Sequence, residues 1–274
     1  ESDFADERLS KRYTKVLGQM SRMPQSPLNQ SSECLAEMMA AYRFIDNAKV
    51  TVEKLLSPHQ EQVANRAEKE STVLLVQDTT YLDFSSHQKL EELKPLRIKK
   101  SSKALWLHST LCLLPNGLPL GIADVQYMTS KGEGSSDSHR PIAEKRSRRW
   151  LDAVDNCQNI FGDGIRKVWV CDREADIYEL LDHISSKGED YLIRSRFCRE
   201  IEEAPFFDMR NALEHAPIAG YSEFTIPSNG DRAKRTAKMA VRYVRATFST
   251  PQYKQNVVHS KSLPEGHVVE TYEV

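Results

Sequence analysis

The chain has 274 residues, 28% of them charged and 39% hydrophobic, with a formal net charge of −1; that size allows one large domain with an insertion or two or three small ones. No run is apolar enough for a transmembrane span and none reads as a signal peptide, so no membrane partner and a cytoplasmic location are expected. Five scattered cysteines (Cys34, Cys112, Cys157, Cys171, Cys198) form no CxxC pair and the eight histidines show no HxxxH or HExxH spacing, which argues against a zinc site or a disulfide framework.

Residues 1–66 read as an all-helical module. A first helix begins near Asp6 and is broken by Pro24 and Pro27. A second fits residues 32–46, where Leu35, Met38, Met39, Tyr42 and Ile45 recur at three- and four-residue spacing and mark the buried face. Asn47 or Thr51 could cap a third helix carrying Val52, Leu55 and Leu56.

From residue 71 the periodicity changes. The run of residues 72–77, rich in β-branched side chains, reads as a strand buried on both faces and ending at Asp78. Residues 104–114 and 118–128 flank Pro115-Asn-Gly117 as a β-hairpin. A surface loop fits residues 130–137, and a helix starting at Pro141 carries Ile142, Trp150, Leu151 and Val154. A second buried strand, residues 167–171, ends at Asp172; a helix over residues 174–185 and a strand over residues 190–195 follow. This order, three antiparallel strands and then two βα units, describes an α/β core over residues 71–196 with a mixed five-stranded sheet of the ribonuclease-H type. Residues 197–274 read as a β-rich region, with strand-like pieces at 220–226, 237–244, 256–259 and 267–270, and the chain stops within a strand as a fragment would.

Charge is clustered rather than balanced. Residues 97–103 carry four positive charges and no negative one, residues 140–149 five against one, and residues 232–245 six against none. Clustering of one sign makes a phosphate-binding surface, although single runs are commonly solvated faces.

Carboxylates at the carboxyl ends of neighbouring strands converge where open α/β sheets bind ligands. Asp78 and Asp172 would offer two hard oxygen ligands suited to Mg²⁺ or Mn²⁺ and to phosphoryl-transfer chemistry. Each also has a plain structural role open to it: an Asx-turn for Asp78 and a helix N-cap for Asp172. Arg173 could pair with Asp176 or orient a phosphate. Arg194 and Arg196 alternate along the last strand, so both face one side, where they either fork phosphate or protect a sheet edge. His108 reads as a satisfied structural histidine, and Trp106, Trp150 and Trp169 as core.

At these residues the chain resembles the DDE transposases of bacterial insertion sequences, specifically the insertion-sequence-four, or transposon-five-type, family. The matching segments run almost end to end: Phe4-Ala-Asp-Glu-Arg-Leu-Ser-Lys-Arg12, Ala41-Tyr-Arg-Phe-Ile-Asp-Asn47, Gln77-Asp-Thr-Thr80, Leu107-His-Ser109, Val170-Cys-Asp-Arg-Glu-Ala-Asp-Ile177 and Tyr191-Leu-Ile-Arg-Ser195. The resemblance implies a helical module that binds double-stranded transposon-end DNA with Arg12 and Arg43 at contact positions. It implies Asp78 and Asp172 as the first two metal-binding catalytic carboxylates, Arg194 as a basic residue near them, and homodimerisation of the complete protein. Residues after Arg196 would be the family's β-rich insertion, with Lys234, Arg235 and Lys238 in a positive wall facing DNA. The family's third acid lies in a Tyr-x-x-Arg-x-x-x-Glu-x-x-x-x-x-x-Lys motif that does not occur before Val274, so the chain is expected to be inactive alone. A nuclease without strand transfer and a truncated DNA-binding inhibitor are the alternatives.

Overall fold

The computed structural model describes residues 4–87, 103–129, 141–162, 164–251 and 266–273. The basic residues 97–102, the loop 130–137 and the strand expected at 256–259 lie outside these.

The N-terminal region forms α1 (Glu7–Arg22), a short α2 (Leu28–Ser31) after Pro27, and α3 (Leu35–Ile45). Asp6 caps α1, its carboxylate accepting from the Arg8 amide at 3.0 Å, and this satisfies one of the donors that a helix start leaves unpaired. Phe4, Val16, Ala41 and Phe44 form the core between α1 and α3, where Phe4 packs edge-on against Tyr13 and Phe44. The apolar stripe that spacing marks on α3 is not the buried one. Leu35 is 70% exposed and Met39, Tyr42 and Ile45 are about half exposed, while Ala41 and Phe44 are buried. Apolar residues flank α3 on more than one side, and the small Ala41 beside the aromatic Phe44 gives the closer fit to α1.

The third long helix, α4 (Val52–Ala67), starts at Thr51, whose hydroxyl accepts from the Lys54 amide. It lies within the helical segment expected up to residue 66, but it packs on the sheet that follows. Val63 and Ala67 join the main core. Three side chains of α4 bond the backbone of one strand: Ile122 N–H donates to His59 Nε2 at 2.9 Å, Gln60 Nε2 donates to Ala123 O at 2.7 Å, and Arg66 Nη1 donates to Leu120 O at 2.8 Å.

That strand is β3 (Pro119–Thr129), at one edge of a five-stranded sheet with β1 (Thr72–Asp83), β2 (Ala104–Leu113), β4 (Arg166–Cys171) and β5 (Asp190–Ile193), in the order β3-β2-β1-β4-β5. β2 runs antiparallel to both β1 and β3, while β4 runs parallel to β1 and β5. The Pro-Asn-Gly hairpin forms as read. Gly117 takes a φ of 89°, and the Asn116 side chain accepts from the Leu118 amide, an Asx-turn that fixes the reversal.

One face of the sheet carries the core. Val73, Leu75, Cys112, Trp169 and Cys171 meet α4, α5 (Arg148–Gln158) and α6 (Tyr178–Ser186) through Val63, Trp150, Val154, Leu180 and Ile184. The expectation that the strands are buried on both faces is not met. The opposite row, Ile122–Leu111–Val76–Val170–Leu192 in register across the sheet, is partly exposed, and Leu192 is 64% exposed. The single helix expected from Pro141 is split into a 3₁₀ turn at Ile142–Glu144 and α5.

Residues after β5 include α7 (Met209–His215), missed in the sequence, and a second antiparallel sheet of β6 (Gly220–Ile226), β7 (Arg235–Ala246) and β8 (Gly266–Glu273). This region packs on the core through Phe248, which meets the Tyr178 and Leu181 cluster, and through a hydrogen bond between the Tyr178 and Thr250 hydroxyls.

Gly121, at φ 138°, lets α4 approach β3: a Cβ there would stand 2.6 Å from Val63 and 2.8 Å from His59. Gly121→Ala should destabilise the protein by about 1–3 kcal/mol, the usual cost of overpacking, and lower the thermal midpoint. An unchanged midpoint would show that α4 is not seated as described.

Candidate functional site

Parallel pairing of β1 and β4 ends at Gln77 opposite Cys171, so Asp78 and Asp172 are the next residues on two adjacent strands. Asp172 keeps an extended backbone, φ −81° and ψ −171°. Alternation along both strands puts the two aspartates on the face of Val76 and Val170, the open one. Asp78 does not end its strand, as read from the sequence. β1 runs on to Asp83 because β2 continues to pair with it, with Asp78 opposite Ser109. Asp78 marks where β1 parts from β4.

Both carboxylates are exposed and bond the backbone through Oδ1, Asp78 to the Thr79 amide at 2.8 Å and Asp172 to the Glu174 amide at 2.9 Å. Asp172 thus caps the 3₁₀ turn Arg173–Ala175. Turn-making and metal binding are compatible, because each carboxylate has a second oxygen. Two carboxylate ligands suit Mg²⁺, which is commonly held by one or two carboxylates with water and phosphate completing its shell. Among the described residues no group of three or more His, Cys, Asp or Glu side chains is arranged to hold a metal.

Beyond β5 the Arg194 amide donates to Cys171 O at 3.1 Å, the last bond of the β4–β5 pairing, so Arg194 follows Ile193 as Asp172 follows Cys171 on the neighbouring strand. The strand expected to reach residue 195 stops at Ile193, and Arg196 does not share the alternation. Its amide donates to Asp176 Oδ2 at 2.6 Å, and its guanidinium lies over the Phe197 ring at 5.3 Å. Asp176, 4% exposed, also accepts from the Phe197 amide and is ion-paired with Arg199. The pairing of Arg173 with Asp176 is therefore replaced by a longer-range one, and Asp176 anchors the loop after β5.

Beneath the aspartates, on the helix-covered face, lies a polar chain that the sequence reading did not assemble. Arg149 is only 3% exposed. Its Nε donates to Thr79 Oγ1 at 3.0 Å, its Nη1 donates to Arg146 O at 2.9 Å, and its Nη2 lies 2.8 Å from Glu174 Oε1. His108 contacts Thr79 Oγ1 through Nδ1 at 2.9 Å and Gln77 Oε1 through Nε2 at 3.2 Å. With Thr79 accepting from Arg149, its hydroxyl donates to Nδ1 and the neutral ring donates from Nε2 to Gln77. The guanidinium also sits over the Trp106 and Trp150 rings. Within the described part of the basic run 140–149, Arg149 is internal, Arg148 pairs with Asp152, and Arg146 lies over Trp106. A run of cations looks solvated in a sequence, and only the fold turned one of them inward.

In the N-terminal region Arg12 is 30% exposed and paired with Glu37 at 2.7 Å; Lys15 shares that carboxylate. Arg43 is exposed, its Nε donating to Met39 O. Glu37 and Arg43 are six residues apart, about 120° around α3, so the Arg12 guanidinium held at Glu37 and that of Arg43 lie on different sides of that helix. Of the residues flanking Arg43, Phe44 alone anchors the helix; Tyr42 and Ile45 are exposed. In the second sheet Lys234, Arg235 and Lys238 are exposed. Lys238 lies over the Tyr221 ring at 4.4 Å, and Arg242 donates to Glu214 O at 2.9 Å near the end of α7. These two contacts stay within the region and are not made to Asp172 or Arg194.

Fold and site together define an α/β protein with an acidic pair on the open face of a mixed sheet, preceded by a compact helical region. Residues 1–50 match the family model described as transposase DNA-binding. The match spans α1 to α3 and stops before α4, the helix that packs on the sheet. Residues 1–50 are thus similar to the DNA-binding region of transposases, and no helix of the described residues is long and apolar enough to cross a membrane.

Burial, and secondarily the charge of Arg149, push the His108 pKa from 6.5 down to about 3. The folded imidazole stays neutral where the unfolded one takes up a proton. Its contribution to stability is complete above pH 6.5 and is lost as pH falls from there towards 3. Thermal midpoints of the wild type should decline through that window, and His108→Gln should decline less steeply. Parallel profiles would assign the pH dependence to another group.

Proposed function

We propose that this chain is the DNA-binding and partial catalytic region of a DDE transposase that acts by cut-and-paste transposition, with a ribonuclease-H-like core. The observation that carries this reading is the row Asp78, Asp172 and Arg194 at adjacent positions on the open sheet face, in a chain whose residues 1–50 match a transposase DNA-binding family. Strand order and pairing directions support the ribonuclease-H assignment.

Asp78 and Asp172 would hold Mg²⁺ or Mn²⁺, which supplies Lewis-acid polarisation of a phosphodiester and activation of its attacking hydroxyl. Arg194, next to Asp172, would bind a phosphate of the strand being cut and hold it in line. Arg196 would contact DNA only by leaving Phe197. Arg43 would contact phosphates and base edges of double-stranded transposon ends, and Arg12 would do so on exchanging Glu37 for phosphate. Lys234, Arg235 and Lys238 would lie along the DNA flanking the cut. A homodimer would pair two transposon ends and present them to target DNA.

Two measurements test this. Mn²⁺ titration followed by electron paramagnetic resonance should show weak binding that Asp78→Ala and Asp172→Ala each abolish; retention of the same site in both variants would overturn the metal assignment. In gel shifts with end DNA at several salt concentrations, Arg43→Ala should weaken binding and reduce the salt slope by about 1. An unaltered affinity and slope would remove Arg43 from the interface.

A further inference from the structure

The polar chain Gln77–His108–Thr79–Arg149–Glu174, buried at Gln77, His108 and Arg149 and exposed at Glu174, has no part in the reading above, and its position is specific. Gln77 and Thr79 flank Asp78 in β1, and alternation turns their side chains to the face opposite the carboxylate. Glu174 lies two residues beyond Asp172 and gives Asp172 its amide hydrogen at 2.9 Å. A single guanidinium bridges the two segments, with Thr79 at 3.0 Å on one side and Glu174 at 2.8 Å on the other. It reaches them from the first turn of α5, held between Trp106 and Trp150. Gln126 of β3 ties this turn to the sheet by donating to Arg149 O at 3.0 Å.

From this geometry we infer that Arg149 is a positioning residue: through Thr79 and Glu174 it fixes the spacing and orientation of Asp78 and Asp172. The inference rests on the metal-binding reading of that pair. Desolvating a guanidinium is costly and is offset where its charge is paired. Here Nε donates to Thr79 and the charge is paired with Glu174, one residue on each segment that carries an aspartate, while Nη1 donates to Arg146 O. β1 and β4 stop pairing at Gln77 and Cys171, so beyond that point the strand ladder no longer holds the aspartates together. The bridge begins where the ladder ends. Thr79 and Glu174 give the two aspartates their amide hydrogens, and disturbing groups bonded to metal ligands typically changes metal affinity by about 10–100-fold.

The test uses the full chain, with Mn²⁺ as the probe and amide hydrogen exchange as a readout that needs no metal. Arg149→Met should raise exchange at the Glu174 amide about tenfold while the amides of β4 keep theirs, and should weaken Mn²⁺ binding about tenfold or more. Arg149→Lys should recover only part of either effect, because an ammonium cannot reach both partners in a fixed fork. If Arg149→Met does not fold, Glu174→Gln carries the test. Glu174 is 49% exposed, and removing its charge should raise exchange at position 174 about threefold. Unchanged exchange at position 174 in a folded variant, or unchanged Mn²⁺ affinity in Arg149→Met, overturns the inference. If the wild type binds no Mn²⁺ and exchange in the variants rises as stated, the positioning role is kept and the metal reading is rejected instead.

Discussion

The parallel pairing of β1 with β4 is the contact on which the rest of the architecture turns. These strands are distant in sequence, separated by a hairpin and α5, and their register decides which side chains become neighbours. With Gln77 opposite Cys171, Asp78 and Asp172 fall side by side. A slip of one residue would send one aspartate to the helix-covered face, where an ionised carboxylate could persist only with a partner. The hydrophobic pattern guards against that slip. Val73, Leu75, Trp169 and Cys171 must all enter the core, and a one-residue slip would turn one strand's set away from it.

The two faces of the sheet divide the work. α4, α5 and α6 cover one with the large apolar core and with the buried polar chain centred on Arg149. The other presents an apolar row ending at Leu192 and, one step along the strands, the polar row Ser109, Asp78, Asp172 and Arg194. Chemistry on the exposed face is therefore backed by rigid structure on the buried one. Lys167 shows the same economy at the far end of β4: it is 4% exposed and pairs at 3.2 Å with Glu189, which also accepts from Trp169 and Gln158. Charges drawn into this core are matched by partners, as burial requires.

α4 joins the two parts of the chain. It follows the segment that matches the transposase DNA-binding family, yet its side chains bond the backbone of β3 and enter the core of the sheet. Tyr13 of α1 donates its hydroxyl to Leu55 O in α4 at 2.6 Å. The region that matches that family is therefore held against the helix that supports the sheet edge, not strung on a free linker.

Local chemistry in the sequence determined a good deal by itself. Asp6 and Thr51 start helices, Pro-Asn-Gly turns a hairpin, and β-branched runs form β1 and β4, because capping, turn and alternation rules act over a few residues. The two aspartates were legible because each follows such a run. Tertiary structure decided what depends on distant partners. The apolar stripe of α3 that is buried was set by the fit of Ala41 and Phe44 to α1, not by spacing. Arg12 met Glu37 and Asp176 met Arg199 across 25 and 23 residues, separations at which a sequence offers many equivalent partners. Arg149 lay in a run of cations that reads as solvent-facing. It became internal only when the tryptophans of β2 and α5 closed around it, and no local rule marks which of several neighbouring arginines a fold will enclose.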